Sequence, residues 1–203
     1  PGQFEVSKAE AVLEAQLAAG NVTLTTSQPG TDAGNITFNA DIDWTTATTL
    51  TLIADNAITI NGAINGVSGS LFLTALGAVD GVGRITTGAG GSINVGTFNL
   101  IAGFWDQVSA ALPGFTAGDF IISPSATFLR ATGGNGSNAN PFQLTDSYGL
   151  QGINGSNQSF ALVNNIDASP PSSWSQGFVP TSFSGTLEGN RFSINNLFID
   201  NDF

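Results

Sequence analysis

The sequence predicts an all-β chain wound as a β-helix, a β-solenoid preceded by one short helix. Three observations carry that expectation. Units of 20 to 27 residues recur, each holding two or three short strands separated by glycine or asparagine, which is the pattern of a stacked solenoid. Charged residues make up only 9% of the 203 residues while 26 are glycine, a balance that suits tight turns and an uncharged polar surface. The apolar residues within each unit alternate with polar ones, so every strand has one face that needs a shared interior.

The helix comes first. Ser7 and Glu10 have the spacing of a capping box, Ala9, Val12, Leu13, Gln16 and Leu17 follow helical spacing, and Gly20 stands where the helix should stop. Residues Ser7 to Ala19 are therefore expected to form a helix whose apolar stripe covers the end of the β core or packs beside it. The first 20 residues make up this N-terminal capped helix.

From Asn21 to residue 130 the chain reads as solenoid repeats. Ile36, Ile58 and Ile85 correspond, as do Leu50, Leu71 and Phe98, and then Leu52, Leu73 and Leu100. At this period the 203 residues would make about eight coils. An immunoglobulin-like sandwich also has many short strands, but the correspondence between successive units favours the solenoid. Phe104 to Gly118, with Trp105, Pro113 and Gly114, reads as an excursion from the coil or a covering loop.

Asp119 to Ile122 and Ala126 to Leu129 resume short strands, and Thr132 to Pro141 is a dense turn segment. Asp146 and Ser147 are placed to cap a helical turn through Leu150, Phe160 to Val163 forms another strand, and Pro170-Pro171 marks a loop leading to Trp174. Phe183 to Asp200 then reads as strand, tight turn, strand and strand, a late coil of the same solenoid. Its Leu197-Phe198-Ile199 would offer an unpaired edge, and the expectation is that further coils follow in a longer parent protein.

Composition limits the chemistry. With four basic and fifteen acidic residues the formal charge is −11, which repels phosphate backbones and anionic lipid, so nucleic acid is not an expected partner. Without cysteine there is no disulfide or thiolate site, and without histidine there is no imidazole base, zinc ligand or Ser-His-Asp triad. Methionine is absent even at position 1, as expected of a portion cut from a longer chain. The longest mostly apolar run, Leu71 to Val79, is far short of the roughly 18 residues that span a bilayer, so no membrane span is expected and the segment should be soluble.

The units from Ala11 to Gly103, with LEAQLAAGNVTLTT, NITFNADI and TLTLIADNAITI, resemble the repeats of filamentous-haemagglutinin-like exoproteins secreted by two-partner systems of Gram-negative bacteria. The later segments FLRATGGNGSNANPFQLTDSYGLQGIN, FALVNNIDAS, GFVP and FSGTLEGNRFSINNL resemble the GLUG-type motif of the same large surface proteins, making residues 131–203 a GLUG-like continuation of the same solenoid. The resemblance implies a right-handed parallel β-helix, exported unfolded through an outer-membrane transporter. It further implies a shaft or adhesive part at the bacterial cell surface, in attachment or biofilm, with no cofactor. One position departs from the motif: Arg191 stands where a second glycine is common, and it is strained if that site requires a positive φ.

Candidate site residues are few. Asp41 and Asp43 flank Ile42, so both carboxylates should point outward, as a calcium pair, an acid pair or simply a solvated face, the last being the usual case. Gly133 to Asn138 looks like half of one glycine-rich calcium repeat, and more simply like a tight loop. Trp105, Tyr148 and Trp174 lie in or beside irregular segments, where their faces could stack on a glycan or a partner protein, although such aromatics more often pin loops onto a core. Asn21, Asn35, Asn135, Asn154 and Asn157 begin Asn-x-Ser/Thr patterns, about as many as chance supplies, and asparagines in solenoids more often form turns or ladders. The expected function is a non-catalytic structural or adhesive segment with a host or matrix glycan or surface protein as ligand, and with self-association through exposed strand edges. The alternative is a polysaccharide-binding or polysaccharide-degrading β-helix, for which only Lys8, Arg84, Arg130 and Arg191 could supply the cations.

Overall fold

The computed structural model describes residues 4–6, 10–27, 31–176, 178 and 182–199. Ser7 and Lys8, Gly177, Val179 and Pro180 of the GFVP segment, and Asp200 lie outside the described residues. The chain is a parallel β-solenoid with a short N-terminal helix, as expected. It makes about six turns rather than about eight, because part of the chain is spent on the N-terminal helix and on turns between strands while the later repeats run to 27 or 28 residues, as from Phe160 to Leu187 and from Ile166 to Ile194. Two compact units share the chain: Pro1–Asp106 with Pro113–Ala126, and Gln107–Leu112 with Thr127–Phe203.

In the first unit the helix α1 (Glu10–Ala19) is followed by strands stacked in three parallel ladders. One ladder runs β1 (Phe4–Val6), β3 (Ile36–Phe38), β6 (Ile58–Ile60), β8 (Arg84–Thr87) and then Phe104-Trp105 of β9 (Ser92–Val108). A second begins at β2 (Val22–Thr25) and continues through β5 (Thr49–Ala54), the end of β7 (Ala63–Ala75), the middle of β9 and the end of β10 (Phe115–Ile122). The third joins β4 (Ile42–Asp43) to the starts of β7, β9 and β10.

The register matches the repeat read from sequence. Ile36 pairs with Ile58 and Ile58 with Ile85, while Leu50, Leu71 and Phe98 form a column beside Leu52, Leu73 and Leu100. All nine of these side chains are fully buried, each contributing about 1.5–3 kcal/mol through removal of apolar surface from water. The intervening residues of β5 alternate with them, half-buried against buried, as a period of two requires.

Helix α1 packs against β2 and β4, which are terminal strands of their ladders, so it covers the first coil. Its buried stripe is narrower than expected, Leu13 and Leu17 alone, with Val12 64% exposed. Gly20 does not take a left-handed cap. The orphan carbonyl of Leu17 instead accepts from the hydroxyls of Thr46 at 2.9 Å and Thr48 at 2.7 Å.

The expected excursion from Phe104 to Gly118 is mostly strand. β9 continues through Val108 and β10 already begins at Phe115. The reason is an aromatic cluster. Trp105 meets Phe98 and Phe115 edge-on with centroids 5.4 and 5.5 Å away, and Phe98 stacks on Phe120 at 5.5 Å, so these rings fill inward positions of successive coils.

The second unit contains β11 (Ala126–Ala131) from Thr127 on, β12 (Phe142–Leu144), helix α2 (Ser147–Gln151), β13 (Ser159–Leu162), β14 (Ile166–Asp167), a 3₁₀ turn at Pro170–Ser173, β15 (Thr186–Glu188) and β16 (Ile194–Asn195). β12, β13 and β15 stack in parallel, as do β14 and β16. Phe183 to Ile199 is thus one coil laid on its predecessor, with two strands in different ladders rather than the three expected, Leu197 to Ile199 being irregular. Asp146 caps α2 as expected, accepting the Gly149 N–H at 2.8 Å. Arg191 does take a positive φ, +69°, next to Asn190 at +47°.

Candidate functional site

In the first unit, Asp41 and Asp43 are exposed on either side of the fully buried Ile42, pointing outward as their spacing requires. Both join the scaffold. Asp41 Oδ1 accepts the Ala63 N–H at 2.7 Å, and Asp43 Oδ1 accepts from Asn65 Nδ2 at 2.9 Å, each one coil later. The Asp43 N–H donates to Glu14 Oε1 at 2.9 Å, tying the strand to α1.

Both residues also line an open groove of about 470 Å³, together with Ala11, Ala15 and Ala18 of α1 and with Trp44, Thr45, Asn65 and Val67. Small side chains on one helix face leave it open. Trp44 is fixed in its wall: the indole Nε1 donates to the Thr48 carbonyl at 3.2 Å and the ring lies where a Cβ on Gly66 or Gly69 would sit. The groove combines two carboxylates and an amide with an aliphatic wall. Its side chains can accept hydrogen bonds from a small polar or cationic ligand, and they include no nucleophile and base in mutual contact. Sequence reading named Asp43 but missed Glu14, Asn65 and Val67. The signal was the row Ala11, Ala15 and Ala18, too small to fill the angle between helix and sheet.

The three aromatic candidates are interior residues. Trp105 is fully buried in the aromatic cluster of the first unit. In the second unit Tyr148 and Trp174, 8% and 5% exposed, stack on each other at 5.5 Å. They pin α2 and the segment after the 3₁₀ turn together. Comparison with protein family models, curated proteins and solved structures finds no match.

The Gly133–Asn138 loop is a turn closed on itself. Gly134 and Gly136 have positive φ, and Asn135 Oδ1 accepts from Ser137 N at 3.1 Å and Ser137 Oγ at 2.7 Å. Asn21, Asn35 and Asn154 each use Oδ1 to accept from the next coil, at Thr49 N, Ala57 N and Ser182 N. Among the described residues no group of three or more acids is placed to hold a metal ion.

The described arginines are tied into the scaffold or set in a turn. Arg84 bonds Asp106 and lies 5.2 Å over the Phe104 ring. Arg130, nearly buried, bonds Asp146 at 2.7 Å and also Gln107. Arg191 is exposed in its left-handed turn. No helix among the described residues is long and apolar enough to cross a membrane.

Proposed function

We propose that this chain is a structural and adhesive segment of a secreted bacterial surface exoprotein of the filamentous-haemagglutinin-like class, passed through an outer-membrane transporter and acting by shape and surface rather than by catalysis. The observation that carries the reading is how the polar side chains are used. Asn35, Asn39, Asp41, Asp43, Asn154, Asn165 and Asp167 each bond the coil that follows, so the amides and carboxylates stiffen a shaft. The segments that resemble the GLUG-type motif fall in the second unit and support the same class. Attachment, biofilm formation and cell-surface location belong to this proposal.

The test is an array of glycans and host matrix proteins probed with the purified chain. Saturable binding to one ligand class supports an adhesive segment, while a blank array leaves a passive spacer and rejects adhesion by this part of the chain. A second reading, a polysaccharide-binding or polysaccharide-degrading β-helix, is favoured by the groove with Glu14, Asp43 and Asn65. Turnover of a uronate polymer by the purified chain would establish that reading over the first.

A further inference from the structure

We propose that Asn135 is a self-modification site, at which the chain closes a succinimide on its own backbone and water opens it to aspartate or isoaspartate. Asn135-Gly136 is one of four Asn-Gly pairs, with Asn61-Gly62, Asn65-Gly66 and Asn154-Gly155. Each has the reactive sequence, because a following glycine leaves its backbone nitrogen unshielded and free to turn. The fold separates them. Asn61 Nδ2 donates to Asn39 Oδ1 at 2.7 Å and Asn65 Nδ2 to Asp43 Oδ1 at 2.9 Å, so both potential leaving nitrogens are held by the neighbouring coil. Gly66 also lies within β7, in register with Val95. Asn154 Oδ1 accepts the Ser182 N–H at 3.2 Å, which fixes that side chain across a coil.

Asn135 is exposed to water, and its side chain bonds only within its own loop. Its Oδ1 accepts from the Ser137 N–H at 3.1 Å and from the Ser137 hydroxyl at 2.7 Å. As the Gly136 nitrogen attacks Asn135 Cγ, negative charge develops on this same oxygen, where two donors are already in place to stabilise it. The N–Cγ bond forms and the Cγ–Nδ2 bond breaks. Nδ2 departs as ammonia, taking the proton given up by the Gly136 nitrogen. Among the described residues neither Asn135 Nδ2 nor the Gly136 N–H is engaged in a hydrogen bond. Water then adds to either ring carbonyl, giving aspartate or isoaspartate. One asparagine and one water become one acid and one ammonia, with nothing oxidised or reduced.

The loop is a joint to the next coil of the second unit. The Gly136 carbonyl accepts the Ser159 N–H at 2.9 Å, Asn138 Oδ1 accepts the Ser159 hydroxyl, and Phe142 and Gln158 fill the space where a Gly136 Cβ would sit. Isoaspartate lengthens the backbone before Gly136 by one carbon, which displaces its carbonyl from Ser159. The reaction also adds one negative charge to a formal charge already at −11. It is a slow, one-way release of this joint.

The test holds the folded chain in mildly alkaline buffer and follows each pair by peptide mass mapping and isoaspartyl methyltransferase labelling. Asn135 is expected to convert ahead of the other three. Ser137→Ala separates chemistry from looseness, because the Ser137 hydroxyl also accepts the Asn140 N–H at 3.2 Å and its loss frees the loop. A freer loop alone would react faster, whereas loss of the donor to Oδ1 should slow conversion by about tenfold or more. Ser137→Thr, which keeps the hydroxyl, should restore the rate. Three results would overturn the proposal: an unchanged or faster rate in Ser137→Ala, equal rates at all four pairs, or conversion of Asn135 only after the chain is unfolded in urea.

Discussion

Asn56 lies one coil beyond Asn35, with its Nδ2 2.8 Å from Asn35 Oδ1, and the same oxygen also accepts the Ala57 N–H at 3.2 Å. One side chain thus satisfies a backbone donor and an amide of the next coil, in a part-buried position where water replaces neither bond well. Asn35→Ala is expected to cost about 1–3 kcal/mol. Asn35→Asp, which keeps the acceptor, should lose much less. Urea unfolding of the two variants checks the difference, and equal losses would remove the clamp as the cause.

Arg191 at φ +69° holds a conformation that costs an L-residue about 1–2 kcal/mol. Glycine relieves that strain but loses more backbone entropy on folding, so Arg191→Gly is expected to raise stability by a net amount of up to about 1 kcal/mol. Arg191→Lys, which keeps both charge and strain, should leave stability unchanged. A gain from lysine equal to that from glycine would point to the side chain rather than the backbone.

Much of this architecture could be read in advance. Ile36, Ile58 and Ile85 are spaced by the coil itself, because each must return to the same interior point, and that periodicity survives in any sequence that winds this way. The strain at Arg191 was legible too, as an arginine in a glycine position. The groove was harder to see, since Glu14, Asn65 and Val67 come together only when α1 lies over the first coil. The aromatics misled for a related reason. Trp105 lies near Gly103, Pro113 and Gly114, which suggests a loop, but Phe98 of its own strand and Phe115 of the next coil pack edge-on against it. Local turn chemistry does not reveal partners one coil away.

Burial of Trp44, Trp105 and Trp174, all at 5% exposure or less, predicts a blue-shifted emission maximum and weak acrylamide quenching in the native chain. Trp105→Ala should cost about 3–5 kcal/mol, the range for deleting a large core aromatic. Any glycan or protein ligand found for this chain should not change quenching by direct contact with the Trp105 or Trp174 ring. Strong quenching in the folded state would contradict the interior placement.

Gly69 faces the Trp44 indole so closely that an added Cβ has no room, at a point where the pairing of β7 with β9 shifts register between Gly66 and Ser70. Gly69→Ala is expected to cost about 1–3 kcal/mol by overpacking and to push Trp44 toward the groove. A red shift of tryptophan emission should accompany the loss. Stability unchanged by the extra methyl group would mean that the indole does not occupy this slot.

Asp167 links pH to the last coil. Its carboxylate is held below the ordinary value of 3.8, first by the bond from Asn196 Nδ2 and then by the backbone N–H and hydroxyl of Ser169. A folded pKa below the unfolded one means that the folded state binds the proton less readily, so this group's contribution to stability is fully present above pH 3.8 and is lost as the pH falls through the lower folded value. Amide exchange at residues 194–195 should therefore quicken, relative to the intrinsic rate, as pH drops below 3.8. Asp167→Asn should remove that acid dependence while keeping an acceptor for Asn196. A variant that retains the full pH dependence would place its origin in another carboxylate.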